Sequence, residues 1–496
     1  MKRRTVMSAA GLGLGALLGA NGKEASAQGQ RADETARGGP GVAPRHVIVI
    51  GAGISGLAAA QRLRAEGLNV LVLEARDRIG GRVHTSTAWR GPGLDLGASW
   101  IHGAGADNPI AQLAQRMGAR MASTNSENAE AYDGDGGELS DANALRLESL
   151  QRKVSAVIAE RERGGRDCSL RALVHDELDY SELGPLEQRM IDFVLNSTYE
   201  HEYGGSADHL SSQWFDSGES YEGGELLWLD GYQLLANHLA SGLDIKLRHE
   251  VTAVSYQEPG GVTVQTQQGA FSAHHVVVTL PLGVLKSGRV TFSPALPAHK
   301  LAAIDSLGVG VLNKCCLLFP QSFWNPRLDW LNHLPKQGRA GQWAEWVSFA
   351  RPTGRPVLMG FNAADFGRKI ESWDDTTIVQ SAMGALRAMF GAGIPSPVDA
   401  LVTRWAADPY ARGAYSCHVV GSTPGQRDDL ASSVNGRLFF AGEATERQYY
   451  QTVHGAYQSG LRAAAEVLRL NVGSRGASLR STALNLGRRS SIQATA

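Results

Sequence analysis

The chain has 496 residues, of which 43% are hydrophobic and 20% charged, with a formal net charge of -1. That length exceeds one ordinary core and predicts two domains with large buried interiors. A near-zero net charge gives no electrostatic footprint for nucleic acid or an anionic membrane, so neither is expected as a partner.

In chain order, the first signal is a leader. Lys2, Arg3 and Arg4 precede an apolar stretch from Val6 to Ala20, and Ala25-Ser26-Ala27 has the form of a signal-peptidase site. The apolar run is too short to span a bilayer. Residues 1–27 therefore read as a signal peptide, and the paired arginines before a Gly-rich core favour the twin-arginine type. That route carries folded cargo to the periplasm or beyond. Residues 28–44 read as a linker, and 471–496, rich in Ser, Arg, Gly and Ala, as a disordered tail. The cysteines, Cys168, Cys315, Cys316 and Cys417, form no CxxC pair or zinc spacing, so no metal is expected. Adjacent Cys315 and Cys316 read as opposite faces of one strand rather than a strained vicinal disulfide.

His46-Val47-Ile48-Val49-Ile50 is a β-branched run suited to a strand buried on both faces. It leads into Gly51-Ala52-Gly53-Ile54-Ser55-Gly56, then a helical pattern through Leu63, then a second strand, Asn69 to Leu73, ending at Glu74. This strand, glycine turn, helix and strand is the unit that binds dinucleotides. Gly51 permits the tight turn, Gly53 lets the backbone approach a pyrophosphate, and Gly56 lets the helix pack closely on the sheet. Glu74 falls where an acid accepts from ribose hydroxyls. The unit alone does not separate FAD from NAD.

The residues that follow do. Glu74-Ala75-Arg76-Asp77-Arg78-Ile79-Gly80-Gly81-Arg82 continues past the acid with a basic, paired-glycine turn. Here the sequence resembles the flavin amine oxidase family, which carries E-A-x-x-R-x-G-G-R in this place. The match extends to Asp95-Leu96-Gly97-Ala98-Ser99-Trp100-Ile101-His102-Gly103, which looks most like the polyamine-oxidase branch. Further along, Leu280-Pro281-Leu282-Gly283-Val284-Leu285, Leu438-Phe439-Phe440-Ala441-Gly442-Glu443 and Thr452-Val453-His454-Gly455 match the family as well. The resemblance covers nearly all of 45–470. It implies FAD, with Glu443 on the ribityl chain, Val251 beside the adenine, and the helix that begins at Thr452 and Val453 facing the flavin pyrimidine. It also places Gly80, Gly81, Arg82, Gly97, Ala98, Ser99, Trp100, Pro281, Trp405 and Gly442 against the cofactor, with Ala75 and Arg76.

Lys314 stands inside an apolar strand pattern, Gly310 to Phe319, where an unpaired ammonium is costly. The resemblance implies a lysine bridged through water to the flavin N5, with burial lowering its pKa for proton shuttling or oxygen activation. Tyr415 matches one aromatic wall of the family's amine cage. The opposite wall, aromatic in many relatives, is Thr452 here, and Tyr449 or Tyr450 stands nearby to replace it. Ala414 occupies the position of the cysteine that bonds covalently to FAD in monoamine oxidases, so FAD is expected to be non-covalent. His102 matches a histidine at the substrate entrance. The acids of Tyr199-Glu200-His201-Glu202-Tyr203 and Glu219-Ser220-Tyr221-Glu222 are candidates for distal ammonium groups, and Trp100, Trp214 and Trp228 for an apolar tunnel. For each, a solvated face or core packing is the competing reading.

The expected architecture is α/β. A Rossmann-like FAD domain from 45–125, 226–290 and 400–470 is interleaved with a mixed α+β substrate domain from 126–225 and 291–399. Asp374 to Phe390 is predicted as a helix ending at Gly391. The expected reaction is amine oxidation by hydride transfer to flavin, with O₂ as acceptor and hydrogen peroxide as product. Alternatives are an L-amino-acid oxidase or desaturase on the same fold, or a flavin-binding protein without turnover. A histone-demethylase role is disfavoured, because no long helical insertion interrupts 291–399.

Overall fold

The computed structural model describes residues 45–257 and 261–470. The leader, the linker and the tail lie outside the described residues.

The strand Arg45–Ile50 is central to an eight-stranded sheet and is parallel to Val70–Leu73 and Gly269–Val278. Asp244–Lys246, Val251–Ser255, Val262–Thr266 and Thr291–Ser293 extend that sheet, and Leu438–Phe440 pairs with Gly269–Val278. Side chains alternate between its two faces. Val47, Val49, Val72, Val277 and Phe439 pack with Leu57, Ala60 and Leu63 of the helix Ile54–Ala65 and with Ala463 and Val467 of the helix at 453–470. Ile48, Ile50, Leu71, Leu73, Val276 and Val278 pack on the other face with Ala303, Ile304 and Leu430. Both faces are covered, which is why the strand reads as an unbroken β-branched run.

A six-stranded sheet forms the second layer system. Its order is Asp399–Val402, Leu312–Leu318, Val357–Ala363, Glu345–Ser348, Trp330–Leu334 and Ala129–Asp133. One face, with Cys315, Leu317, Leu331, Trp346 and Leu358, receives the helix Asp375–Phe390 through Ile378, Ala382 and Leu386. That helix begins at Asp374, whose carboxylate accepts the Thr377 N–H, and stops at Gly391, as the spacing predicts. The other face, with Cys316, Val347, Met359 and Phe361, packs on Leu94, Leu227 and Trp100. Cys315 and Cys316 thus point to opposite faces, and both are free thiols. Helices from Asp141 to Tyr203 form a separate cluster beside this sheet, and Leu195–Glu200 is wound as a π-helix.

Two expected domain limits shift. Thr291–Ser293 pairs parallel with Val251–Ser255, and the helix Ala298–Ser306 packs on the first sheet, so that unit runs past 290 to Ser306. Asp399–Val402 is an edge strand of the second sheet, so the return falls after Val402 rather than at 400. Short strands of this kind leave no periodicity that marks which sheet they join. Among the described residues no helix is long and apolar enough to cross a membrane. Nor, among them, does any His, Cys, Asp and Glu cluster have the form of a metal site.

Candidate active site

The three glycines of the turn stand under different constraints. A Cβ on Gly51 would lie 2.6 Å from Thr279 Oγ1, and one on Gly56 would lie 2.0 Å from the Gly51 carbonyl oxygen. Protein packing alone explains both. Gly53 is different, because a Cβ there would meet nothing within 4 Å. Its open side is where a ligand backbone can approach, at the start of a helix that has no side-chain cap. Gly80 donates to the Ala52 carbonyl, and Gly81 lies against Gly53, which draws the paired-glycine turn over this spot. Ile54 and Ser55 complete the first helical turn and are buried.

A cavity of about 70 Å³ opens beside the turn, lined by Gly51, Glu74, Ala75, Val251, Pro281 and Tyr410, among others. Glu74 is buried, and its two carboxylate oxygens accept the Ala52 N–H at 2.7 Å and the Arg76 N–H at 2.8 Å. Burial raises its pKa, and these amides and the nearby arginines oppose the rise. Each oxygen keeps a lone pair for a ribose hydroxyl. A second cavity, lined by Arg82, Pro281, Gly442 and Glu443, shares Leu280 and Pro281 with the first. Together they form one elongated groove with an acid at each end. Gly442, at φ 129°, also has open space where a Cβ would stand. The residues present suit a dinucleotide: Glu74 keeps lone pairs for ribose hydroxyls beside the open glycine turn.

Glu443 is held more tightly than expected. Its oxygens accept Arg82 Nη1 at 2.9 Å, the Ser416 hydroxyl at 2.7 Å and the Gln451 N–H at 3.0 Å. Burial alone would raise its pKa, but the Arg82 and Arg427 charges and the Ser416 bond hold it below the usual range. Arg82 also donates to the Ala414 carbonyl, and so ties the two ends of 414–443 together. Arg76 is paired bidentately with Asp408. Trp405 donates from its ring nitrogen to the Leu96 carbonyl at 3.2 Å.

Lys314 is buried, as the apolar strand predicts. Nζ donates to the Asp95 carbonyl at 3.0 Å, the Gly97 carbonyl at 2.6 Å and the Ser99 hydroxyl at 2.7 Å. These three acceptors match the three hydrogens of an ammonium. Burial nevertheless pushes its pKa down to about 8. The close approach of this loop is set by Gly97, where a Cβ would fall 1.8 Å from the Arg82 carbonyl oxygen; Ala98 donates to that same oxygen. Asp95, which sequence reasoning left without a role, is fully buried beneath the lysine. Its carboxylate accepts the Tyr232 N–H and the Thr85 hydroxyl, and burial pushes it up to about 7.

Trp100 lies beside Lys314, its ring against Trp330 and Phe361 and its Nε1 donating to Thr124. The Tyr415 hydroxyl donates to the His201 carbonyl at 2.7 Å, and the ring edge approaches Gly204, where a Cβ would be 2.9 Å away. Val453 packs on the first core, and Thr452 precedes it as a helix cap. The Thr452 hydroxyl donates to the Tyr449 carbonyl and accepts the Gly455 N–H at 2.9 Å. It is therefore engaged in capping rather than presented as a cage wall. Tyr450 is core, fixed by its bond to the Phe215 carbonyl, while Tyr449 stacks flat on Tyr221 at 4.6 Å. Trp228 is buried and stacks on Tyr232. His102 is 58% exposed and paired with Glu225, at the surface.

The acid cluster at 199–203 resolves differently from expectation. Glu200 is buried and accepts the Ala207 N–H and the Asn196 amide, so it serves the helix region. Its neighbour His201 instead faces the second sheet. Its Nδ1 is bonded to Glu345, and its Nε2 has no hydrogen-bond partner. Glu345 sits directly opposite Asn332, whose Oδ1 is likewise unpartnered. Lys314 pairs with Phe361, and continuing the neighbouring register places Glu345 opposite Phe361. Lys314, Phe361, Glu345 and Asn332 thus form one cross-strand row on the same face. Strand spacing puts the Lys314 and Glu345 backbones about 10 Å apart. The His201 ring meets Phe361 edge-on at 6.0 Å. A single Glu in the short segment 345–348 gave sequence reasoning no comparable signal.

Comparison with known proteins places this geometry. A family described as flavin containing amine oxidoreductase matches residues 54–468. Polyamine oxidase 4 of Oryza sativa subsp. japonica is 35% identical over 438 residues, covering 85% of this chain and 88% of its own. Lysine-specific histone demethylase 1 homolog 2 of Arabidopsis thaliana is 36% identical over 437 residues, which are 85% of this chain but 58% of the demethylase. A solved structure of wild-type putrescine oxidase bound to putrescine superposes with a TM-score of 0.69 at 21% identity, covering 86% of this chain and 99% of that one.

Proposed function

This chain belongs to the family of flavin-containing amine oxidoreductases, and from that premise we propose that its substrate is a diamine or polyamine. It is an FAD-dependent amine oxidase. The observation that carries the finer reading is the polar row. On an otherwise apolar face, Glu345 and His201 offer a carboxylate and an unpartnered ring nitrogen about two strands from Lys314. An aliphatic chain with an amine at each end satisfies both places at once. A monoamine would leave the distal polar groups buried without a partner, at a cost.

FAD, when bound in the groove, supplies the two-electron acceptor for the amine's α-carbon, and O₂ then takes the electrons to give hydrogen peroxide. The chain supplies placement and electrostatics. Trp100 and Phe361 pack against each other beside Lys314, and the Tyr415 ring is fixed by its hydroxyl on the His201 carbonyl. The reacting amine must be neutral, because an ammonium has no lone pair to assist C–H cleavage. Lys314, whose pKa burial lowers to about 8, is the group we assign to proton exchange with the substrate amine. The resulting imine is hydrolysed by water to an aldehyde.

An L-amino-acid oxidase would need a cation for the substrate carboxylate. At the end of the row away from Lys314 the charged group is itself a carboxylate, Glu345, which repels a substrate carboxylate placed there. The test is peroxide release by FAD-loaded protein with putrescine, spermidine, butylamine and L-leucine. Putrescine or spermidine should lead. Peroxide from L-leucine alone would overturn the reading. Export by the 1–27 leader remains part of this proposal. Replacing Arg3 and Arg4 with lysine should retain the protein in the cytoplasm, and continued export would remove the twin-arginine route.

A further inference from the structure

The adenosine end of the groove is crossed by a segment from the far end of the chain. Asp408 grips Arg76 through two parallel bonds of 2.8 and 2.7 Å, with the two side chains only 12% and 22% exposed. Asp408 also accepts the Tyr410 N–H at 2.9 Å, and the Arg76 guanidinium lies over the Tyr410 ring at 5.4 Å. The Tyr410 hydroxyl reaches Glu250 at 3.2 Å, and Glu250 is paired with Arg289 at 3.0 Å. Pro409, Tyr410, Glu250 and Arg289 all line the cavity that Glu74 and Val251 enter. The same segment continues to Trp405 on one side and to Ala414 and Tyr415 on the other, at the flavin end.

We propose that Asp408 to Tyr410 is a latch over the adenosine half of the cofactor, closed by the Asp408–Arg76 pair and secured by Tyr410 on Glu250. The inference rests on FAD lying in this groove. A non-covalent cofactor has no chemical tether, so its residence depends on what must move before it leaves. The strap is bound at both sides of the cavity mouth, and the bidentate geometry makes its opening one concerted break. Burial raises the Asp408 pKa, but the Arg76 bonds and charge hold it below its ordinary value, which keeps the pair ionic.

A latch differs from an ordinary contact in its kinetics. A contact slows release only, whereas a latch slows release and uptake together. Release is followed as free-FAD fluorescence after dilution of the holoenzyme, and uptake by mixing apoprotein with FAD. Asp408→Asn should speed release at least ~10-fold and also speed uptake, with Asp408→Glu restoring part of the delay. Tyr410→Phe should speed both by about 3-fold. High salt should accelerate release from the wild type and leave Asp408→Asn unaffected, since it screens a partly exposed pair. Unchanged release in Tyr410→Phe together with a salt-insensitive wild type would overturn the latch, even if Asp408→Asn does not fold. So would faster release with slower uptake, which marks a static contact.

Discussion

Replacing Glu345 with glutamine removes one charge and little else. The amide oxygen still accepts the His201 Nδ1–H, so the ring keeps its place. What is lost is the attraction between the carboxylate and a substrate ammonium. Two unit charges about 4 Å apart near a protein surface interact by ~4 kcal/mol. Glu345 is 19% exposed, and this partial hydration reduces the term to roughly 2 kcal/mol. At about 1.4 kcal/mol per tenfold, kcat/KM for putrescine should fall ~30-fold. The contact is made equally in the bound and activated complexes, so the loss should appear in KM rather than kcat. Butylamine, with no second ammonium, should change by less than about twofold. Steady-state peroxide assays with the two amines decide it. An equal loss for both would make Glu345 a structural residue, and no loss for putrescine would place the distal ammonium elsewhere.

Lys314→Met should slow amine oxidation or flavin reoxidation at least ~100-fold with FAD retained; unaffected turnover would remove Lys314 from the chemistry. The lysine is pushed to about 8 by burial, so its neutral form gains above that pH. A rising limb near pH 8 should be present in the wild type and absent in the variant. Acid precipitation should release yellow flavin to the supernatant, because Ala414 offers no thiol; flavin left in the pellet would contradict this. His84 and His333 are pushed down to about 4, and His418 to about 2, mainly by burial. Folded values below the ordinary 6.5 mean that the unfolded chain binds more protons in that window. Their contribution is present above pH 6.5 and lost as pH falls, so Tm should drop between pH 6.5 and 4; a flat Tm across that range would refute the assignment.

The cofactor half was legible because its constraints are local. Gly51 and Gly56 are needed by contacts within one turn and its helix, and Glu74 sits at a fixed distance along the same unit. Lys314 was legible because a charge in an apolar strand has few explanations. Glu345 obeys the same logic, but its strand is four residues long and its meaning lies in cross-strand register with Lys314. Register and packing between distant segments also hid Asp95 beneath the lysine and Asp408 on Arg76. Thr452 departs from the aromatic wall that the resemblance implies, and its hydroxyl accepts the Gly455 N–H at the helix start, a contact that the sequence position alone does not announce.

The most direct measurement is anaerobic mixing of FAD-loaded protein with putrescine, butylamine and L-leucine while the flavin absorbance is followed. Without oxygen, bleaching reports amine oxidation alone. Putrescine should bleach the flavin far faster than butylamine, and L-leucine should leave it yellow. Equal bleaching by putrescine and butylamine, or bleaching by L-leucine alone, would contradict a site built from Lys314 at one end and Glu345 with His201 at the other.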